Sequence, residues 1–262
     1  MFGKGYYNTA QLRVAGQKRS TIRKFSNGGA LVLAADFNMN EEESYDPEDD
    51  VEIINNIIGS NKDIYANSVG FQNHQDDSPI KPSYFTFNGS SSFLGTPKSG
   101  GSHEGESSFD LNIGNDFTLA CWVRLTGGVS ASSGATLMGI GDTSDNGISF
   151  LVNNYKPECN FEGAKNLASF SMEVNEWYNL VLIKESSAVY LYVDGSYRVG
   201  SNENIGSSAS GTSEVFLGRA YDGTNYSYTG SSTNMSRVLI YDSALKASDI
   251  RRNYLALRTR YK

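Results

Sequence analysis

WYNLVLIKESSAVYLYVDG spans residues 177–195. Two apolar runs, Trp177–Lys184 and Ala188–Val193, flank a short polar break. The second run closes on Asp194-Gly195, a pair that readily takes the left-handed backbone of a two-residue hairpin turn. The stretch therefore reads as strands in an antiparallel sheet.

Working outward, DFTLACWVRL at 116–125 carries the same signal more strictly. Phe117, Leu119, Cys121, Val123 and Leu125 alternate with Thr118, Ala120, Trp122 and Arg124. A strand turns successive side chains to opposite faces, so this is the pattern of a sheet with one buried face. Cys121 falls on that core face, as a small hydrophobe. Further strands are expected at Gly29–Asp36, Tyr84–Asn88, Ala135–Ile140, Gly147–Val152, Ser169–Val174, Ser213–Gly218 and Arg237–Tyr241. Asn55–Gln75 reads as irregular loop, and residues 95–108 as a Gly/Ser-rich loop. Strands about ten residues apart, joined by turns, imply an all-β fold of two antiparallel sheets in a sandwich or jelly roll.

The chain has 262 residues, 39% hydrophobic and 12% aromatic, enough to pack a core. Its 27 glycines suit many turns. The net charge of −7 disfavours nucleic acid as a partner. The charge is blocked: residues 1–25 carry six bases and no acid, and residues 36–52 carry nine acids and no base. Terminal blocks of one sign are common assembly contacts. No apolar run approaches the roughly 20 residues of a membrane span, and no signal peptide is evident. Synthesis in a cytosol with reduced thiols is expected, and two cysteines alone make no zinc site.

The end of the chain is unusual. After Val238–Tyr241 a helix-like segment keeps Ile250, Tyr254, Leu257 and Tyr261 on one stripe, ringed by Arg251, Arg252, Arg258 and Arg260.

Residues 177–195 resemble the central hairpin of concanavalin A-like, laminin-G-like jelly rolls. So do FTFNGSSSF (85–93), FDLNIGNDFTLACWVRL (109–125), VFLGRA (215–220) and MSRVLIYDSALKASDI (235–250), in the family's order. A narrower resemblance links GALVLAAD (29–36) and the terminal Ile250, Asn253, Tyr254, Ala256, Arg260, Tyr261 to laminin-G-like structural proteins of tailed bacteriophages. The resemblance implies a concanavalin A-like jelly roll over residues 29–262, an extended basic arm over 1–28 and a short C-terminal helix packed on the sandwich. It departs at the helix start, where Lys246 and Asp249 make an incomplete capping box.

Catalysis finds little support. Glu48-Asp49-Asp50-Val51-Glu52 matches a bare alternating-acid pattern, but the glycosidase relatives place apolar residues between the acids. The chain's two histidines, His74 and His103, lack a nucleophile-elbow context, and no phosphate-binding fingerprint occurs. No cofactor is required. Calcium would take oxygen ligands, for which Asp142, Asp145 and Asn146 are the candidates. For sugar or a protein partner, Arg219–Tyr228 offers Tyr221, Tyr226 and Tyr228 as stacking faces and Asp222 and Asn225 as hydrogen-bonding groups.

The first expectation is a non-enzymatic virion structural protein: a capsid decoration, neck, tail or fibre component, made in the host cytoplasm and displayed on the virion surface. Phe2, Tyr6, Tyr7, Leu12, Arg13, Lys18 and Arg19 would anchor it to capsid, neck or tail proteins. The second is a carbohydrate-binding module for cell-surface glycan, and the two are compatible. A glycoside hydrolase comes last. Edge strands and arginine-rich ends leave room for a homodimer or homotrimer.

Overall fold

The computed structural model describes residues 31–36, 53–54, 64–67, 69–72, 81–95, 109–112, 115–127, 129, 134–141, 147–161, 164–167, 170–201, 212–213, 215–221, 226–227 and 232–262. Within them, twenty strands (β1–β20) and one helix (α1, Ala247–Tyr261) form an antiparallel sandwich. The first sheet runs β15 (Ser196–Ser201), β14 (Ala188–Val193), β13 (Trp177–Glu185), β8 (Phe117–Leu125), β20 (Thr233–Tyr241), β5 (Tyr84–Phe87), β4 (Gly70–Gln72), and β1 (Leu31–Asp36) also pairs β20. The second runs β12 (Ala164–Leu167), β11 (Lys156–Phe161), β10 (Ile148–Asn153), β9 (Ala135–Ile140), β17 (Val215–Leu217), β6 (Phe93–Gly95), β3 (Ile64–Asn67), β2 (Ile53–Ile54). Two ribbons pair β7 (Phe109–Asn112) with β16 (Thr212–Ser213), and β18 (Ala220–Tyr221) with β19 (Tyr226–Ser227). The two-sheet sandwich with a C-terminal helix is the architecture expected of a concanavalin A-like jelly roll. No helix among the described residues is long and apolar enough to cross a membrane.

The alternating residues of β8 fill the core as expected. Phe117, Leu119, Cys121, Val123 and Leu125 pack with Leu137, Phe150 and Leu217 of the second sheet. Asp194 and Gly195 take φ of 53° and 71°, the hairpin backbone their identity favours. Gly89 has φ 73°, and the Asn88 side-chain oxygen accepts from the amides of Ser90, Ser91 and Ser92 at 2.9–3.1 Å, closing the turn after β5.

Three local expectations change. Residues 64–67 and 70–72, inside the segment taken as loop, form β3 and β4. Both are short, and pairing with β6 and β5 fixes them rather than any pattern of their own. Residues 170–174 are not a strand; Met172 instead donates its amide to the Tyr155 carbonyl at 2.8 Å. The strands before it are β11, reached through Asn154 and Tyr155 at φ 47° and 63°, and β12, which pairs β11. Finally, β20 begins at Thr233, four residues earlier than expected, because β5 pairs Thr233–Met235 before β1 pairs the rest.

The second face of β8 is buried too. Ala120 sits with Val181, Leu239 and Ile250, and Trp122 with Trp177 and Tyr261. Helix α1 lies over this face, and its stripe of Ile250, Tyr254, Leu257 and Tyr261 supplies the contact while Arg251, Arg252 and Arg258 stay exposed. An isolated helix of 15 residues is marginal in water, so this stripe is what holds α1 folded. Lys246, at its start, makes no side-chain cap. Thr118 of β8 substitutes: its hydroxyl donates to the Ser243 carbonyl (2.8 Å) and accepts from the Leu245 amide (3.0 Å), fixing the approach to the helix.

Candidate functional site

Outward-facing positions on the second sheet follow from its inward ones. Val215, Leu217, Met138, Ile140 and Leu94 point into the core, so Phe216, Gly139 and Phe93 point out. Phe93 and Phe216 meet edge to face, with centroids 6.5 Å apart. Gly95 makes room for them, since a Cβ there would lie 2.6 Å from the Phe216 ring.

The chain turns onto this face immediately after β17. Gly218 takes φ +82° and donates its amide to the Leu137 carbonyl at 3.0 Å. Arg219 then lays its guanidinium over Phe93, 3.2 Å from the ring centroid, and 4.5 Å from that of Phe216. Guanidinium planes stack well on aromatic faces, and desolvation strengthens the attraction. Arg219 is only 8% exposed. Ala220 follows and crosses β9 at Gly139, where an added Cβ would lie 2.6 Å from the Ala220 Cα. From this seat the β18–β19 ribbon rises, with Tyr221 paired to Tyr226 and Ala220 to Ser227.

The described part of the tyrosine-rich stretch singled out in the sequence thus begins on the outer face of the second sheet, at Arg219 and Ala220. For Tyr221 and Tyr226 the backbone is described, whereas Asp222, Asn225 and Tyr228 lie outside the described residues. The calcium candidates Asp142, Asp145 and Asn146 also lie outside them. Gly141 (φ 65°), the last described residue before them, lies two residues beyond the glycine that seats the ribbon. Among the described residues no group of three acidic, histidine or cysteine side chains could hold a metal. The arm residues Phe2, Tyr6, Tyr7, Leu12, Arg13, Lys18 and Arg19, the acids at 48–52, His74 and His103 are likewise outside the described residues.

Sequence reasoning missed the residues that build the seat. Phe93 and Phe216 each occupy the polar phase of a short strand, and that phase violation is the signal that was available. Gly139 offered a second one, as a glycine inside an apolar strand, where close backbone approach is the usual reason.

Among the described residues of this face, acidic side chains are sparse. Glu158 alternates with the inward Cys159 and is 2% exposed, with Asn153 donating to it at 3.2 Å. Both thiols are buried, and burial raises the pKa of each; for Cys159, burial and then the Glu158 charge push it up to about 12.

A two-sheet jelly roll with an aromatic ribbon on an outer face is a lectin-like architecture. The family model of the concanavalin A-like lectin/glucanases superfamily, of laminin-G type, matches residues 98–251, and the chain belongs to that superfamily. No curated protein matches it in sequence. Among solved structures it is similar to the binding domain of botulinum neurotoxin serotype D/C, at TM-score 0.59 and 12% identity, over 87% of this chain and 52% of that one. The botulinum neurotoxin DC binding domain in complex with rat synaptotagmin II gives the same TM-score and identity, over 88% and 52%. Trypanosoma rangeli sialidase in complex with 2,3-difluorosialic acid follows at TM-score 0.61 and 18% identity, over 86% and 33%. The chain spans about half the length of the toxin domains and a third of the sialidase. At these identities the likeness is one of fold.

Proposed function

We propose that this chain is a non-enzymatic, lectin-like surface protein of a tailed-phage virion, and that its jelly roll binds cell-surface glycan through the β18–β19 ribbon. The observation that carries the binding reading is the seat: Arg219 stacked on Phe93, and Ala220 against Gly139, hold a ribbon bearing Tyr221 and Tyr226 on an outer sheet face. Anchoring Ala220 at the base of the ribbon lowers the ordering cost that binding there must meet. Tyrosine faces stack on sugar rings, and the intervening Asp222 and Asn225 supply hydroxyl partners. A retaining glycosidase needs two carboxylates about 5–5.5 Å apart. The described part of the face has Glu158, buried against Asn153. Membership of the superfamily supports binding in general without choosing the sugar.

The virion part rests on the sequence: the arm of six bases without acid, and a terminal motif that resembles that of phage laminin-G-like proteins. Capsid, neck or tail proteins are its proposed partners, and repeated display would raise weak glycan affinity by avidity. A glycan array tests the binding: Tyr226→Ala or Tyr228→Ala should clearly lower the signal. Wild-type protein that binds no glycan sinks the reading. Immunogold microscopy of purified particles tests the location, and deletion of residues 1–25 should remove the label while the domain stays folded.

A further inference from the structure

A second tyrosine cluster lies on the other sheet from the ribbon's seat, on the outer face of the first sheet at its β15 edge. Tyr190 and Tyr192 alternate on β14 and face out, since Val189, Leu191 and Val193 point into the core. Tyr197 on β15 would ordinarily pair with Val193 and point inward as well. The register shifts instead: Leu191 pairs Val199, but Tyr192 pairs Tyr197 and Val193 pairs Ser196. This β-bulge inserts Arg198 and moves Tyr197 to the outer face. Bulges on edge strands commonly re-aim a side chain at a working surface. Arg198 is sent to the Phe170 ring, 5.1 Å away.

Three tyrosines therefore share one face. Tyr197 meets Tyr192 edge to face at 5.7 Å and Tyr190 tilted at 6.5 Å. Gly200 pairs with Tyr190 and completes the arrangement. A Cβ there would lie 2.8 Å from the Tyr190 ring and 2.9 Å from the Tyr197 hydroxyl, so the glycine lets both rings lie across the strand. Tyr197 is 55% exposed, the most exposed large apolar side chain in the described structure. Glu185 ends β13 in the outward phase of Val181 and Ile183, which pair Tyr192 and Tyr190, and so shares this face with the hydroxyls. Burial, then Tyr197, Glu185 and Tyr190, raise the pKa of Tyr192.

We propose that Tyr190, Tyr192, Tyr197 and Glu185 form a second glycan-binding platform on the first sheet. A pyranose ring has a flat face of C–H groups for Tyr197 and a rim of hydroxyls for phenols and carboxylate. The carboxylate accepts from sugar hydroxyls, a complementarity that an apolar protein surface lacks; such a surface would leave Glu185 desolvated and unpaired. The proposal shares with the proposed function the reading that this domain takes sugar, but it assigns a different site.

The test uses the full chain, a printed glycan array, and titration with the free form of the best-bound oligosaccharide. Tyr197→Ala removes an exposed ring and leaves the core intact. In the Tyr226→Ala background, where the ribbon site is disabled, it should weaken the remaining binding about tenfold or more, while Tyr197→Phe, which keeps the stacking face, loses far less. Loss in Tyr226→Ala, with remaining binding that Tyr197→Ala leaves unchanged, overturns the platform and leaves the ribbon site standing. Absence of glycan binding in the wild type overturns both. Should Tyr197→Ala leave glycan binding intact but abolish self-association in sedimentation, the cluster is a contact between copies and the proposal fails.

Discussion

Trp122 and Tyr261 lie face to face, ring centroids 3.9 Å apart and 6° from parallel. One belongs to the middle of the first sheet and the other to the last turn of α1, so this contact ties the end of the chain to the sandwich. Tyr254 stacks at 5.8 Å from the same indole, and Trp177 meets Tyr261 edge on at 5.4 Å.

The Tyr261 hydroxyl adds a hydrogen bond whose direction can be deduced. Ser236 donates its one hydroxyl proton to the Ser83 carbonyl at 2.7 Å, so Tyr261 donates to Ser236 at 2.8 Å. Tyr261→Phe keeps the stack and should cost about 1 kcal/mol. Tyr261→Ala empties the cluster and should cost about 3–5 kcal/mol. Urea unfolding measures both, and equal losses would show that the ring contributes nothing beyond its hydroxyl.

Gly139→Ala should separate seat from core. Its Cβ would meet the Ala220 backbone, which must move away at a cost of about 1–3 kcal/mol. Glycan binding through the ribbon should fall in the same variant. Full affinity in a folded Gly139→Ala chain would mean that the ribbon's position is unimportant.

Lys262 bonds Asp194 at 2.6 Å and lies 4.8 Å from the Tyr178 ring centroid. Burial lowers its pKa, but the bond to Asp194 and the aspartate's charge outweigh this and raise it overall. A raised lysine pKa stabilises the fold below the unfolded-state value, and the gain is lost as pH climbs through the folded value. Lys262→Gln should therefore lower stability by under about 1 kcal/mol, given the exposure of the pair. The Tm gap to wild type should hold from about pH 7 to 9 and close above about pH 11. A gap that persists there would assign the effect to packing.

Cys121 and Cys159 should resist a thiol reagent at pH 8, since the thiolate is the reactive form and burial disfavours it in both. Two thiols per chain should titrate once urea unfolds the protein. Rapid labelling of folded protein would contradict this.

The ribbon that carries the candidate site was legible in part. Its tyrosines stood out by composition, but the Arg219 guanidinium on Phe93 joins residues 126 positions apart, and no local pattern encodes that contact. The same divide runs through the fold. Period-two alternation placed Phe117 to Leu125 on the core face, and Asp194-Gly195 announced its turn, because both depend only on neighbours in the chain. The terminal stripe of Ile250, Tyr254, Leu257 and Tyr261 was visible for the same reason. What it covers was not. Ala120 and Trp122 occupy the phase of β8 that alternation assigns to solvent, and they are buried because α1 folds back across them. Likewise β3 and β4 are strands because β6 and β5 complete their hydrogen bonds. Local sequence determined which way each strand faces. Tertiary structure decided which of the outer faces would stay in water, since that depends on segments far along the chain competing to bury apolar surface.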